Sequence, residues 1–99
     1  MKKIQWTRYS QKDYENLDGN QKIAVDKAID RIKINGMLEG EYLRKELTGC
    51  KKIKHRKLGL RIVFREIDNQ IEIIEIICIG KRADNEVYKT AVKRINLKK

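Results

Sequence analysis

The apolar positions of this chain follow two periods, one of strands and one of helices. Ile4 and Trp6 alternate with Lys3, Gln5 and Thr7, which predicts a first strand over Lys2 to Tyr9. Ser10 offers a hydroxyl cap, with Asp13 three residues on, for a short helix ending near Asn16 or Leu17. Val25, Ala28, Ile29 and Ile32 then recur at helical spacing. They predict a second helix, capped by Asp18 or Asn20, running to Asn35 and ended by a left-handed Gly36. Glu41 to Lys45 fits either another helical turn or a loop.

The strand period returns at Lys51 to Arg56 and at Leu60 to Ile67, with a tight turn at Lys57, Leu58 and Gly59 between them. Asp68 and Asn69 fit a hairpin turn that favours positive backbone angles, leading into Gln70 to Ile79. That run is apolar on both faces, as expected of a central strand covered from above and below. Val87, Ala91, Val92 and Ile95 place a last helix over Asn85 to Ile95. The predicted order is β-α-α-β-β-β-α. It describes a small single α+β domain over residues 1–99, with a four-stranded, mostly antiparallel sheet, two N-terminal helices packed on it and a short C-terminal helix.

Ninety-nine residues carry one core and no second domain. At 40% apolar content and a mean hydropathy of -0.68, no window approaches the roughly 18 apolar residues of a membrane span. No membrane partner is expected. Met1, Lys2 and Lys3 have no apolar stretch behind them, so a cytoplasmic chain without a secretory leader is expected. Cys50 and Cys78 lack metal-ligand spacing and His55 is the sole histidine, so no metal or other cofactor is expected. Two free thiols in a reducing compartment fit this composition.

Charge changes the picture more. The chain carries a net +10, and Arg44 to Arg65 alone holds nine Lys or Arg against Glu46. Glu66 to Gly80 holds four acidic residues and no basic one, while Lys81 to Lys99 has seven basic against two acidic. Charge gathered this way raises the local potential and draws in phosphates. A polyanion is the expected ligand.

Alternation along a strand sends Lys52, Lys54 and Arg56 to one side. Arg61 and Arg65 share a face of the neighbouring strand, and Arg82 follows where the chain leaves the sheet. This cluster has no paired carboxylates, no second histidine and no Ser–His arrangement. Cleavage of RNA by its own 2′-hydroxyl needs removal of the 2′ proton, stabilisation of phosphorane-like charge and protonation of the departing 5′ oxygen. Lysines crowded by like charge exchange protons nearer neutral pH, and the fork-shaped guanidinium suits the nonbridging oxygens. Tyr88 either stacks on an unstacked base or packs by its ring as a half-buried helix residue. Glu75 shares a strand face with Ile73 and Ile77, and pairing with a neighbouring Arg or Lys is expected there. His55 points away from Lys52 and Lys54, which suits a surface or helix contact.

Over roughly Leu47 to Ile95 the chain resembles the RelE-type toxins of the RelE/ParE superfamily. The residues that carry the resemblance are Cys50, Lys52-Ile53-Lys54, Arg56, Gly59, Arg61 with Val63, and Ile67-Asp68. Gly80-Lys81-Arg82, Glu86-Val87-Tyr88 and Ala91-Val92-Lys93-Arg94-Ile95 complete it. Lys51 stands where the family pattern has an aromatic residue. The resemblance implies a ribosome-dependent mRNA endonuclease of a type II toxin–antitoxin system, cutting the A-site codon to a 2′,3′-cyclic phosphate and a 5′-hydroxyl. It implies catalytic roles for Lys52, Lys54, Arg61, Arg82 and Tyr88. Arg44, Lys45, Lys51, Arg56, Lys57, Arg65 and Lys81 flank this set as candidate RNA or ribosome contacts. The implied partners are a RelB-like antitoxin, the 70S ribosome with mRNA and 16S rRNA in its A site, and operator DNA through the antitoxin complex. Two other readings stay open: a ParE-like toxin that inhibits gyrase by binding, and a nucleic-acid-binding module without catalysis.

Overall fold

The computed structural model describes residues 1–67 and 70–97. Strand β1 spans Lys3–Trp6, helix α1 Arg8–Glu15 and helix α2 Gly19–Asn35. Strands β2 (Glu41–Tyr42), β3 (Lys51–His55), β4 (Leu60–Ile67) and β5 (Gln70–Lys81) follow, and helix α3 (Glu86–Leu97) ends the domain. The predicted hairpin turn at Asp68 and Asn69 lies outside the described residues. The strands form one five-stranded sheet in the order β1-β5-β4-β3-β2. β1 runs parallel to β5, and the other neighbours are antiparallel.

Three sequence expectations are corrected here. The sheet has a fifth strand, because Glu41 and Tyr42 pair with Lys52 and Lys51 instead of forming a helical turn or loop. A strand this short carries no periodicity of its own. The first helix begins at Arg8, so β1 ends at Trp6 and not at Tyr9. Its cap is Thr7: the Thr7 Oγ1 accepts from the Ser10 amide at 2.9 Å, and the Ser10 Oγ accepts from the Thr7 amide at 3.0 Å. Ser10 is thus the third residue of a capping box and is fully buried. Asp18 caps α2 by the same reciprocal pattern with Gln21, as one of the two expected caps. Gly36 ends α2 at φ 56.

Each face of the sheet has its own core. Val25, Ala28, Ile29 and Ile32 of α2 pack on Ile53, Ile62, Phe64, Ile74 and Ile76. On the other face Val87 and Ala91 of α3 pack on Val63, Ile77 and Cys78, with Leu47 and Cys50 beside them. β5 is therefore buried on both sides, as its unbroken apolar run predicts. A bulge makes this possible: Val63 pairs with Cys78 but Phe64 pairs with Ile76, so Ile77 has no partner residue on β4. The extra residue lets Ile77 and Cys78, adjacent in sequence, both enter the α3-side core.

β1 pairs with β5 only as far as Trp6 and Ile76. Beyond that point the edge of β5 is completed by side chains. Asp13 of α1 accepts from the Ile79 amide at 3.1 Å, and Arg94 of α3 donates to the Ile77 carbonyl at 3.0 Å. The two side chains also meet each other, Nη1 to Oδ2 at 2.6 Å and Nη2 to Oδ1 at 3.0 Å. This bidentate pair joins α1, β5 and α3 and satisfies backbone groups that a bare edge would leave open. The Asp13 carboxylate raises the Arg94 pKa further above the ordinary arginine range, against the opposing effect of burial.

Asp13→Ala strands the Arg94 guanidinium and the Ile79 amide together, and is expected to cost about 3 kcal/mol in urea unfolding. Burial pushes the Cys78 thiol up to about 12, and the Cys50 thiol upward for the same reason. A thiol raised in the folded state favours folding below its ordinary pKa of 9.0. That contribution is lost as the pH climbs toward 12, because only the unfolded chain ionises in the interval. A thiol-reactive disulfide reagent at pH 8 should therefore leave both cysteines unmodified until denaturant is added.

Candidate functional site

β3 divides its side chains between the two cores. Ile53 turns toward α2, so Lys52 and Lys54 turn toward the α3 face. Register then assembles the neighbours: Lys52 lies opposite Val63, Lys54 opposite Arg61, and Arg61 opposite Gly80. Gly80 is the point where α3 meets the sheet, since a β-carbon built there would sit 3.4 Å from the Val87 side chain. Val87 anchors the first turn of α3, and the next residue is Tyr88. Its ring centroid lies 5.4 Å from the Lys52 ammonium. The Arg82 amide donates to the Gly59 carbonyl at 3.0 Å, which ties the exit from β5 to the β3–β4 turn and leaves its side chain exposed.

The charges of this face are uncompensated in a specific way. Arg61 is only 7% exposed, and its Nη1 donates to the Leu60 carbonyl at 2.9 Å. Among the described residues no carboxylate lies within ion-pair distance of Arg61, Lys52 or Arg82. A guanidinium kept under a sheet face without a carboxylate is costly unless an anion completes it. Lys54 differs: its Nζ lies 2.9 Å from the Glu41 Oε1. That carboxylate is held below its ordinary pKa first by the Lys54 hydrogen bond and charge, with Lys52 and Arg56 adding to it. Glu41 did not stand out in the sequence. The only signal was the preceding Gly40, at φ +79, where an added β-carbon would meet the Lys52 carbonyl oxygen.

The flanking basic residues separate into two groups. Arg44, Lys45, Arg56, Lys57 and Lys81 are exposed on turns or strand ends, Lys81 lying opposite Leu60 of the α2-side core. Lys51 and Arg65 are not free in this way. Lys51 is 5% exposed, on the opposite side of β3 from Lys52, with its Nζ donating to the Met37 carbonyl at 2.6 Å and lying 4.4 Å from the Tyr42 ring centroid. Its apolar stem is buried and its ammonium is bonded at the tip, which is why charge alone misplaces it. Arg65 meets buried Glu75 at 3.3 Å, beside Ile95 at the other end of α3. Four residues along β4 put it roughly 13 Å from Arg61. The expected pairing of Glu75 with an arginine is thus present. His55 turns toward Ala24, Val25 and Ala28 of α2, and its Nδ1 accepts from the Leu58 amide at 3.3 Å. Among the described residues no group of three or more His, Cys, Asp or Glu could hold a metal ion. A cleft of about 510 Å³ opens between β1, α1 and α2, lined by Trp6, Tyr14, Asp26 and Lys33, away from the basic face.

A small α+β domain that gathers lysines and arginines on one sheet face, beneath the start of its last helix, is the architecture of a group of bacterial toxins. The chain is 33% identical over 84 residues to the mRNA interferase toxin RelE of Escherichia coli, which covers 85% of this chain and 86% of the relative. It has the same identity over the same span to the mRNA interferase RelE of Shigella flexneri. The crystal structure of isolated E. coli RelE superposes with a TM-score of 0.74 at 28% identity, covering 96% of this chain and 99% of that one. A substituted E. coli RelE bound to a peptide of its antitoxin RelB superposes at 0.72 with 28% identity, over 94% and 96% of the two chains. The chain matches no protein-family profile. It belongs to the RelE toxin family.

Gly40→Ala places a side chain in the left-handed region and against the Lys52 carbonyl. The substitution is expected to detach β2, cost about 2 kcal/mol in thermal unfolding, and lose the Glu41–Lys54 contact in NMR spectra of the lysine ammonium.

Proposed function

We propose that this chain is the toxin of a type II toxin–antitoxin pair and a ribosome-dependent mRNA endonuclease. It cuts the A-site codon by attack of the 2′-hydroxyl on the adjacent phosphate, leaving a 2′,3′-cyclic phosphate and a 5′-hydroxyl. The observation that carries the reading is the buried guanidinium of Arg61 beside Lys54, with no carboxylate in ion-pair distance among the described residues. A nonbridging phosphate oxygen supplies the negative charge this position lacks, and charge growing on it in the transition state strengthens the contact. Arg82, exposed where β5 ends, approaches the same phosphate from the solvent side. Lys52 and Lys54 are the groups in place to exchange protons with the attacking and leaving oxygens. They act as an array, and neither is assigned alone as base or acid. Tyr88, half-buried beside Lys52, supplies an aromatic surface for a base splayed out of its stack.

The basic face supplies charge, and attack geometry requires the RNA to be held in a bent conformation. The ribosome supplies that geometry by fixing the codon in its A site, which turns cleavage into a positioned step. Arg44, Lys45, Arg56, Lys57 and Lys81 are exposed and serve docking on 16S rRNA and mRNA. A RelB-like antitoxin neutralises the toxin by covering this charge, and the pair together binds operator DNA. The reaction takes place in the cytoplasm, where ribosomes and messages meet. The structural relative bound to an antitoxin peptide and the identity to mRNA interferases support this reading.

Single-turnover cleavage of mRNA on programmed ribosomes tests it. Lys54→Ala and Arg82→Ala should each slow A-site cleavage by about 100-fold or more with unfolding unchanged. Cleavage at the wild-type rate in both variants removes the assignment.

A further inference from the structure

A two-residue edge strand contributes little to the sheet, yet β2 follows a glycine whose substitution by any side chain is strained. Gly40 adopts φ +79, and a β-carbon there would lie 2.3 Å from the Lys52 carbonyl oxygen. What the close approach delivers is Glu41. It lies directly opposite Lys52 and reaches the diagonal neighbour Lys54 at 2.9 Å. Its side chain is 60% exposed, so it fills no core. Among the described residues it is the one carboxylate ion-paired with any member of the catalytic set. Lys52 and Arg56 also act on it electrostatically.

We infer that Glu41 is a positioning residue for Lys54, an internal counter-ion that occupies the ammonium until a phosphate displaces it. The inference rests on the proposed use of this face for phosphate binding. Lysine is a point charge on a flexible stem, and a carboxylate beside the strand holds it over the face where Arg61 waits. The same contact taxes every polyanion that binds. A phosphate entering beside Lys54 must first break the Glu41 pair, so free RNA gains little from this lysine. An A-site codon, already held by the ribosome, makes the exchange without supplying binding energy of its own.

The salt dependence of RNA binding tests this with the full chain. The probe is a short fluorescent single-stranded RNA, 2′-O-methylated so that it cannot be cut, followed by anisotropy across a salt series. Glu41→Gln should tighten binding about two- to five-fold at low salt, the range an exposed ion pair allows. It should also steepen log K against log salt by about 0.7, one further phosphate on a single strand. In a Lys54→Ala background the same substitution should change neither. Glu15→Gln on α1, with the same change in net charge, should leave the slope alone. An unchanged slope in Glu41→Gln, or an equal gain without Lys54, overturns the inference. Because the probe is uncleavable, this outcome is independent of the nuclease reading. Ribosomal cleavage with an unchanged slope overturns the counter-ion alone. A steeper slope without ribosomal cleavage upholds the counter-ion and removes the nuclease.

Discussion

β5 has to be roofed on both faces, while its partner β1 stops at Trp6 and leaves the far edge of β5 open. The Asp13–Arg94 pair closes that gap. Both side chains bond to each other and to β5 backbone, one accepting from Ile79 and the other donating to Ile77. Residues 81 apart in sequence are joined there. The pair fixes the second half of α3 against the sheet while Val87 and Gly80 fix the first. With both ends held, α3 lies along one line, and Tyr88 stands over Lys52. The placement of the basic face thus depends on a contact at its far end.

Gathering like charges works against folding, because each cation raises the cost of the next. The fold offsets this at the periphery. Arg65 is matched by Glu75, Arg94 by Asp13 and Lys54 by Glu41, while Lys51 is buried by its stem and bonded through its tip to Met37. Arg61 is the exception that defines the site. Arg61 is nearly buried, its guanidinium bonds the Leu60 carbonyl, and among the described residues no carboxylate pairs with it, an arrangement that costs stability. A surface shaped this way is suited to a bound phosphate in a way that a solvated charge run is not.

Much of the fold was legible from periodicity. The α2 stripe, the two-sided apolar run of β5, the spacing of α3 and the cap at Asp18 all rest on local rules, and local rules are what a linear pattern records. Thr7 was missed because either hydroxyl of a Thr–Ser pair can be the cap, and the choice depends on where the preceding strand stops. Strand β2 was missed because two residues have no period. The set of Lys52, Lys54, Arg61, Arg82 and Tyr88 was nominated by charge, alternation and family resemblance together. The β3–β4–β5 register puts Lys52, Lys54 and Arg61 on one face and the α3 contact at Gly80 brings Tyr88 to Lys52, while Arg82 is exposed where the chain leaves β5.

By itself the sequence determined the types of the longer elements, the two-faced burial of the central strand and the excess of positive charge in Arg44 to Arg65, since each is a property of near neighbours along the chain. Only the tertiary structure decided which of those charges are free. Lys51 and Lys52 are adjacent in sequence, but the pleat sends one into the core and the other to the face. Arg61 and Arg65 share a face, yet Glu75 gives Arg65 an ion pair while Arg61 has none among the described residues. Glu41 reaches Lys54 only because Gly40 lets an edge strand pass close to backbone. These differences turn on which groups from distant segments come within a few ångströms, and that is a property of packing.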